Sequence, residues 1–90
     1  MSRLNIEVEG TPNPSAAKFV LGSGSLGEDS RSYFSAADAE GDPLAERLFG
    51  IQGVRALFMV DNFITVTRTD DTAWDEIVED ILCAIREELE

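Results

Sequence analysis

The 90-residue sequence has no histidine, one cysteine and one lysine. Without histidine, the usual serine–histidine and cysteine–histidine nucleophiles cannot be assembled, and imidazole acid–base chemistry is excluded. The lone cysteine, Cys83, excludes a disulfide within the chain, and it cannot build a zinc site from nitrogen and sulfur ligands by itself. These absences predict a protein that is not an enzyme and that has no metal ligand set of its own.

Basic residues are scarce: seven Lys and Arg stand against eighteen Asp and Glu, which gives a net charge of −11 at pH 7. A phosphate backbone or an anionic membrane surface would repel such a chain. Long apolar runs are missing too, since none approaches the ~20 residues that span a bilayer, and residues 1–10 alternate in polarity, unlike a signal peptide. We therefore expect a cytoplasmic protein that binds neither nucleic acid nor membranes.

The residues that are present suffice for one hydrophobic core. Hydrophobic residues make up 43% of the chain, an ordinary share for a small globular domain, so we expect residues 1–90 to form a single domain. From Leu4 to Val8, apolar and polar residues alternate as in a half-buried strand. Lys18 to Leu21 predicts a second strand, and Ser32 to Phe34 predicts a short edge strand.

A short helix is predicted from Asp42-Pro43 to Gly50. Aspartate is a good N-cap and proline is tolerated at the first helical position, while Gly50 is expected to end the helix in the left-handed conformation. Gly22 to Asp42 is predicted as loop, with one turn near Ala36 to Ala39. It opens with a G-x-G-x-x-G pattern at Gly22 to Gly27, but no helical pattern follows, so we interpret it as a flexible loop and not a dinucleotide site.

Val54–Val60 and Phe63–Thr69 predict a hairpin around Asp61-Asn62, which tolerate positive φ. A two-residue turn pairs Met59 with Ile64, and this register places one continuous apolar face on the hairpin. The opposite face is mixed and is expected to be partly solvated. Its residues are Val54, Ala56, Phe58, Val60, Phe63, Thr65, Thr67 and Thr69.

The last helix is predicted to start with a capping box made by Thr72 and Asp75. Its apolar residues recur with a period of about 3.6; they are Trp74, Ile77, Val78, Ile81, Leu82, Ile85 and Leu89. Cys83 lies opposite this stripe, so it is expected to face solvent among acidic neighbours that disfavour its thiolate. The element order predicts an α+β two-layer sandwich, a mainly antiparallel sheet of about four to five strands with two helices packed on one face.

Two groups of residues are candidates for a site. Thr11 to Pro14, with Lys18, form either a rigid connector between strands or a binding loop. Cys83 is either an incidental surface cysteine or a metal ligand shared across a dimer, and a monomer is the simpler expectation. Half of the acidic residues lie between Asp70 and Glu90, where they suit solubility or the docking of a basic partner better than a cation cage.

Several short motifs occur in an order that resembles the Nfu/NifU-like N-terminal domain, over nearly the whole chain from about Leu4 to Leu89. The matching segments are Thr11-Pro12-Asn13-Pro14 with Lys18-Phe19-Val20, Asp42-Pro43-Leu44-Ala45 with Leu48-Phe49, Ile51 with Gly53-Val54, Asp61 with Phe63-Ile64-Thr65-Val66-Thr67, and Trp74 with Ile77, Ile81 and Ile85. They resemble the family's TPNP…KF, SPLA..LF, I.GV and DFITVTK motifs and its closing helix. Arg68 stands where the family more often has lysine, and we expect it to be a surface cation.

The resemblance implies a small α+β domain in proteins of iron–sulfur cluster assembly and delivery. In full-length members a second domain carries a C-x-x-C motif, and two such domains share the cluster. These 90 residues contain no C-x-x-C, and one thiolate is far short of the roughly four that a cluster needs. The resemblance therefore implies no cofactor in this chain and an iron–sulfur cluster only indirectly, through a partner.

The resemblance implies that this chain recognises a protein partner, and that the partner is an iron–sulfur biogenesis factor or an apo-protein. The matching positions are candidate contact residues, namely Pro12, Asn13, Pro14 and Lys18, with Phe63 and Thr65 on the hairpin. Two alternatives stay open. One is a homodimer that binds a metal or a cluster through Cys83, and the other is a small-molecule-binding domain that uses the Lys18 loop.

Overall fold

A five-stranded antiparallel sheet carries two helices on one face in the computed structural model, which describes residues 5–22 and 30–89. The elements are β1 (Ile6–Gly10), β2 (Ala16–Leu21), β3 (Arg31–Tyr33), α1 (Pro43–Phe49), β4 (Val54–Val60), β5 (Phe63–Arg68) and α2 (Trp74–Leu89). The strand order across the sheet is β1-β2-β5-β4-β3. Leu4 and most of the G-x-G-x-x-G segment lie outside the described residues. The predicted α+β class is confirmed.

One hydrophobic core lies between the sheet and the two helices. Phe19, Met59 and Ile64 enter it from three different strands, and Leu48 and Ile81 enter it from α1 and α2. All five side chains are completely buried. Burial of a side chain of this size contributes about 1.5–3 kcal/mol, so these contacts dominate the stability of so small a domain.

The central hairpin has the predicted register, with Met59 opposite Ile64 across a turn at Asp61-Asn62. The prediction for Val54 was wrong, because that side chain is buried in the core and does not belong to the mixed face. A bulge between Val54 and Ala56 inserts one extra residue into β4. Since side chains alternate along a strand, this single insertion reverses the side toward which Val54 points.

Helix α1 begins as predicted, with Asp42 as N-cap and Pro43 in its first turn. One Asp42 carboxylate oxygen accepts the Ala45 N–H at 3.2 Å. The other accepts hydrogen bonds from the Arg31 guanidinium at 2.9 Å and from the Tyr33 hydroxyl at 2.7 Å. Partial burial, and then this hydrogen bond, raise the pKa of Tyr33 above its ordinary value. Asp42 thus joins the edge strand β3 to the start of α1.

The end of α1 differs from the prediction, because Gly50 has a right-handed conformation with φ −69° and ψ −14°. Its N–H donates to the carbonyl groups of Glu46 and Arg47, so the last helical turn simply tightens. The chain reverses three residues later at Gly53, whose φ is 113°. Only glycine adopts this region without strain, so the reversal of the chain requires glycine at position 53.

Helix α2 begins at Trp74, whereas an N-cap at Thr72 would require the helix to begin at Ala73. The assignment of Thr72 as N-cap was therefore wrong. The Thr72 hydroxyl instead hydrogen-bonds the Thr69 hydroxyl at 2.8 Å. The carboxylate that reaches back to the helix start belongs to Glu76, which accepts the Ala73 N–H at 3.4 Å. Thr72 therefore stabilises the loop between β5 and α2, and it does not cap the helix.

Candidate functional site

The sheet face turned away from the helices is the first candidate site, and we call it the open face. Its side chains come from all five strands and are Glu7, Glu9, Lys18, Val20, Ser32, Ala56, Phe58, Val60, Phe63, Thr65 and Thr67. All of them are partly or fully exposed, and Phe58 is 37% exposed. In residues 5–22 and 30–89, both helices pack on the opposite face. A sheet face that neither helix covers and that carries part-exposed aromatic side chains among polar ones is typical of an interaction surface.

Lys18 lies on the open face between Glu9 of β1 and Thr65 of β5. Its ammonium nitrogen is 4.3 Å from the centroid of the Phe63 ring, close enough for a cation–π interaction of about 0.5–1 kcal/mol. Phe63 in turn contacts Phe58, with ring centroids 6.1 Å apart, and Thr65 is the cross-strand neighbour of Lys18. Three of the six predicted contact residues, Lys18, Phe63 and Thr65, are therefore neighbours in space, and their role in binding stays a prediction.

Sequence reasoning placed Phe58 and Val60 on the mixed face of the hairpin but did not choose them as contact residues, and it did not place Val20 on this surface. The alternation of β4 already placed Phe58 and Val60 on the same side as Phe63. What the alternation lacked was the neighbour relation between β2 and β5, which brings Val20 directly opposite Phe63. Once the register between β2 and β5 is known, alternate residues of the two strands can be assigned to the same face, and this step was missing from the sequence reasoning.

The loop between β1 and β2 carries the other three predicted contact residues, Pro12, Asn13 and Pro14. The Thr11 hydroxyl lies 2.8 Å from the Asn13 carbonyl oxygen and accepts the Asn13 N–H at 3.2 Å. The Asn13 side-chain oxygen accepts the Ser15 N–H at 2.9 Å, as in an Asx turn. These bonds support a rigid connector, and Pro12 and Asn13 also remain exposed, so the binding alternative stays open.

Pro14 connects this loop to the last helix. Its carbonyl oxygen accepts a hydrogen bond of 3.1 Å from the indole nitrogen of Trp74, sixty residues later in the chain. The same Pro14 borders an apolar groove beside β1, together with Trp74 and Val78. The structure therefore separates the six predicted residues into two places, the open face and the β1–β2 loop.

Arg68 was expected to be a surface cation, and that expectation was wrong. The side chain is half-buried, and its guanidinium donates to the carbonyl oxygens of Thr69 at 3.1 Å and Thr72 at 2.9 Å. Its centre lies 5.9 Å from the Trp74 ring. Arg68 therefore holds the loop between β5 and α2 and positions the first residue of the helix.

Cys83 faces solvent on α2, as predicted. Its thiol donates to a Glu87 carboxylate oxygen at 3.1 Å, and the other oxygen of Glu87 forms an ion pair with Arg47. The hydrogen bond to Glu87, and then the charge of Glu87, raise the pKa of the Cys83 thiol above its ordinary value. A thiol held in its protonated form is a weak nucleophile and a weak metal ligand, which disfavours the Cys83 alternative.

Replacement of Glu87 by glutamine is expected to make Cys83 more reactive. Glu87→Gln removes the acceptor and the negative charge, and it leaves Arg47 free to favour the thiolate, so the pKa of Cys83 falls. Alkylation by iodoacetamide at mildly alkaline pH should then be several-fold faster, as followed by mass spectrometry. Glu79→Gln, one turn before Cys83 on the same helix, is the charge-matched control and should react like the wild type. Equal rates for Glu87→Gln and wild type would contradict this account.

Metal ligands do not converge anywhere in the part of the chain that the structure describes. No group of three His, Cys, Asp or Glu side chains there could hold a metal ion. An iron–sulfur cluster needs roughly four thiolates, and the single cysteine of the sequence does not fit that requirement. Among the described residues, no helix is long and apolar enough to cross a membrane.

Comparison with known proteins supports one family. The family model described as "Scaffold protein Nfu/NifU N terminal" matches residues 6–90. NifU-like protein 4, mitochondrial, from Arabidopsis thaliana is 35% identical over 80 residues, which are 89% of this chain and 28% of that protein. The human NFU1 iron-sulfur cluster scaffold homolog, mitochondrial, is 36% identical over 81 residues, 89% of this chain and 32% of that protein. The chain thus spans less than a third of the length of these relatives.

Solved structures have the same fold. The solution structure of a NifU-like protein from Saccharomyces cerevisiae matches with a TM-score of 0.82 and 25% identity, over 97% of this chain and 79% of that one. The crystal structure of protein SAV1430 from Staphylococcus aureus matches with a TM-score of 0.76 and 25% identity, over 93% of this chain and 99% of that one. With the family model covering almost all of the sequence, the chain belongs to the Nfu/NifU scaffold protein N-terminal domain family.

Proposed function

We propose that this chain is a non-enzymatic recognition module of iron–sulfur cluster assembly, which binds a protein partner through the open face. The partner is an iron–sulfur biogenesis factor or an apo-protein that receives a cluster. Relatives that are named iron-sulfur cluster scaffold homolog support the assignment to iron–sulfur cluster assembly. With one cysteine and no histidine in these 90 residues, they contribute protein contacts and do not supply the ligand set of a cluster.

The observation that carries the proposal is the lysine held over an aromatic ring on the open face, next to a second aromatic ring. Phe58 and Phe63 supply rigid apolar area, and aromatic residues are over-represented among the residues that dominate binding energy. Lys18 supplies one positive charge within this area, in a chain whose net charge is −11. A partner with an apolar patch around one carboxylate would complement this surface, since charge complementarity sets specificity more than raw affinity.

The test is affinity capture with the tagged chain from a cell extract, with quantitative mass spectrometry of the bound proteins. We expect enrichment of an iron–sulfur biogenesis factor or an iron–sulfur apo-protein over a bait of the same net charge. Phe63→Ser with Lys18→Gln should reduce that enrichment by about tenfold or more, as expected for central interface residues.

Phe34→Ser is the matched control, because Phe34 is 73% exposed and lies just after β3, outside the open face. This variant should capture the same proteins as the wild type. Amide spectra of all variants establish that each is folded. If no iron–sulfur protein is enriched over the charge-matched bait, or if the open-face variant captures as much as the Phe34→Ser control, the proposal fails.

A further inference from the structure

We propose that the outer edge of β1 binds an extended basic peptide as a sixth strand of the sheet, with one apolar side chain of the peptide in the groove beside β1. The groove lies at the edge of the sheet and under α2, on the face opposite to the open face, whereas Glu7 and Glu9 border the open face at the same edge. It therefore goes beyond the proposed function and does not depend on it. Addition of a strand to an exposed sheet edge is a common mode of peptide recognition.

The main chain of β1 supports this mode. β1 is the end strand, and in the described part of the chain it pairs only with β2. The Gly22 N–H donates to the Asn5 carbonyl oxygen, so the alternate positions Glu7 and Glu9 also turn their main-chain groups toward β2. By the same alternation, the N–H and C=O of Val8 point outward, away from β2. Val8 thus offers one donor and one acceptor to an incoming strand.

The groove supplies a place for a side chain next to that edge. Its volume is about 290 Å³, and its apolar lining includes Val8, Pro14, Ala17, Trp74 and Val78. This size falls at the lower limit of the roughly 300–1,000 Å³ of sites for whole small molecules, so one or two side chains fit it better. Because the Trp74 indole is fixed by its hydrogen bond to the Pro14 carbonyl, the groove is already formed in the free chain.

The charges along β1 define the peptide. Glu7 and Glu9 are exposed, lie on the opposite side of the strand from Val8, and alternate with it. Lys18 lies directly opposite Glu9 in β2, but its ammonium is placed over the Phe63 ring, and the described residues contain no ion pair between Lys18 and Glu9. A strand with lysine or arginine on both sides of a central apolar residue places its cations beside Glu7 and Glu9.

A second copy of this chain is a poor occupant of the edge. Antiparallel pairing of β1 with itself would place the carboxylates of Glu7 and Glu9 beside the same carboxylates of the other copy. Like charges directly opposite one another destabilise a strand pair, and charged side chains on edge strands prevent this association. The net charge of −11 adds repulsion between copies and attraction toward a basic peptide.

The test is a titration of the isotope-labelled chain with a synthetic peptide of about nine residues that alternates lysine with apolar residues and has leucine at its centre. We expect a dissociation constant of about 100 μM or lower. The amide signals of β1 and of Trp74 should shift, and hydrogen exchange of the Val8 amide should slow. A peptide with serine in place of every apolar residue has the same charge and should bind at least about tenfold more weakly.

Two variants separate strand addition from simple charge attraction. Val8→Pro removes the outward N–H without touching the bonds to β2, and Glu7→Lys with Glu9→Lys reverses the charges beside the edge; each should weaken peptide binding about tenfold or more. Glu40→Lys with Glu88→Lys has the same net charge as the second variant, changes exposed residues elsewhere, and should bind like the wild type. Equal binding of the serine peptide, shifts confined to β4 and β5, or dimerisation of the free chain through β1 would overturn the proposal, whereas the affinity-capture result would stand unaffected.

Discussion

Replacement of Phe19 by alanine is expected to lower the free energy of unfolding by about 3–5 kcal/mol, because a buried aromatic side chain is lost and a cavity remains. Phe19 is fully buried in the middle of β2, between Val8 of β1 and Ile64 of β5. Its ring centroid lies 6.5 Å from that of Trp74, so the same side chain supports the start of α2. A small domain has only about 5–15 kcal/mol of stability, so this variant loses a large share of it.

Urea denaturation followed by circular dichroism measures this loss. For a domain of this size, about 1 kcal/mol corresponds to about 4–8 °C in Tm, so the Tm should fall by more than about 12 °C. Phe34→Ala is the matched control, because that phenylalanine is 73% exposed and its truncation should stay within about 0.5 kcal/mol of wild type. A similar small loss for both variants would show that the side of β2 that carries Phe19 does not face the core.

Gly53→Ala is expected to destabilise the fold by about 2–6 kcal/mol, from two sources: a non-glycine residue at positive φ costs about 1–3 kcal/mol, and overpacking costs about 1–3 kcal/mol. The φ of Gly53 is 113°. A Cβ atom at this position would lie 2.6 Å from the Thr72 methyl carbon and 2.9 Å from its hydroxyl oxygen. The Gly53 carbonyl also accepts the Thr69 N–H at 2.8 Å, so a shift of this backbone would disturb the entry to α2.

A double-mutant cycle with Thr72→Ala separates the two sources. In the Thr72→Ala background the methyl and hydroxyl groups are gone, so Gly53→Ala should cost less, and the remaining cost measures the backbone strain. Gly10→Ala is the control, because a Cβ there meets nothing within 4 Å. If Gly53→Ala is as mild as Gly10→Ala in urea denaturation, the close approach of the two loops is not a constraint on the fold.

Gly53 also shows why a short sequence motif can have a structural cause. The Gly-Val pair at residues 53–54 matched a family motif, and sequence alone offered no reason for it. The structure supplies one, since Gly53 makes the reversal between α1 and β4 and lies against Thr72. The motif residues Thr11 and Asn13 have a similar explanation in the hydrogen bonds of their own loop. Such residues can be fixed by the fold itself, whether or not they also contact a partner.

The candidate site was only partly predictable. Lys18, Phe63 and Thr65 were chosen from a family resemblance, and the structure places them together because β2 lies beside β5 in the sheet. The groove beside β1 was not predicted, because it needs the segment that carries Val8 and Pro14 to lie against Trp74, 60 residues after Pro14 in the chain. Local patterns specify which side of a strand is apolar, and they contain no information on which strand lies next to it.

The linear pattern of residues was sufficient for the features that depend on near neighbours. It predicted the α+β class, the hairpin register around Asp61-Asn62, the cap at Asp42 and the exposure of Cys83. The absence of histidine and the presence of a single thiol restrict the chemistry of the chain whatever its fold. These results follow from side-chain periodicity and from atomic composition, which are independent of how distant segments pack together.

Only the tertiary structure decided the features that join distant residues. The bulge that buries Val54, the right-handed end of α1 at Gly50, and the half-buried Arg68 all contradict expectations drawn from local sequence. Each of these features is set by packing between helices, strands and loops. Such packing outweighs the conformational preference of a single residue, which is about 1 kcal/mol. The open face and the groove beside β1 exist for the same reason, since both are products of strand order and helix placement.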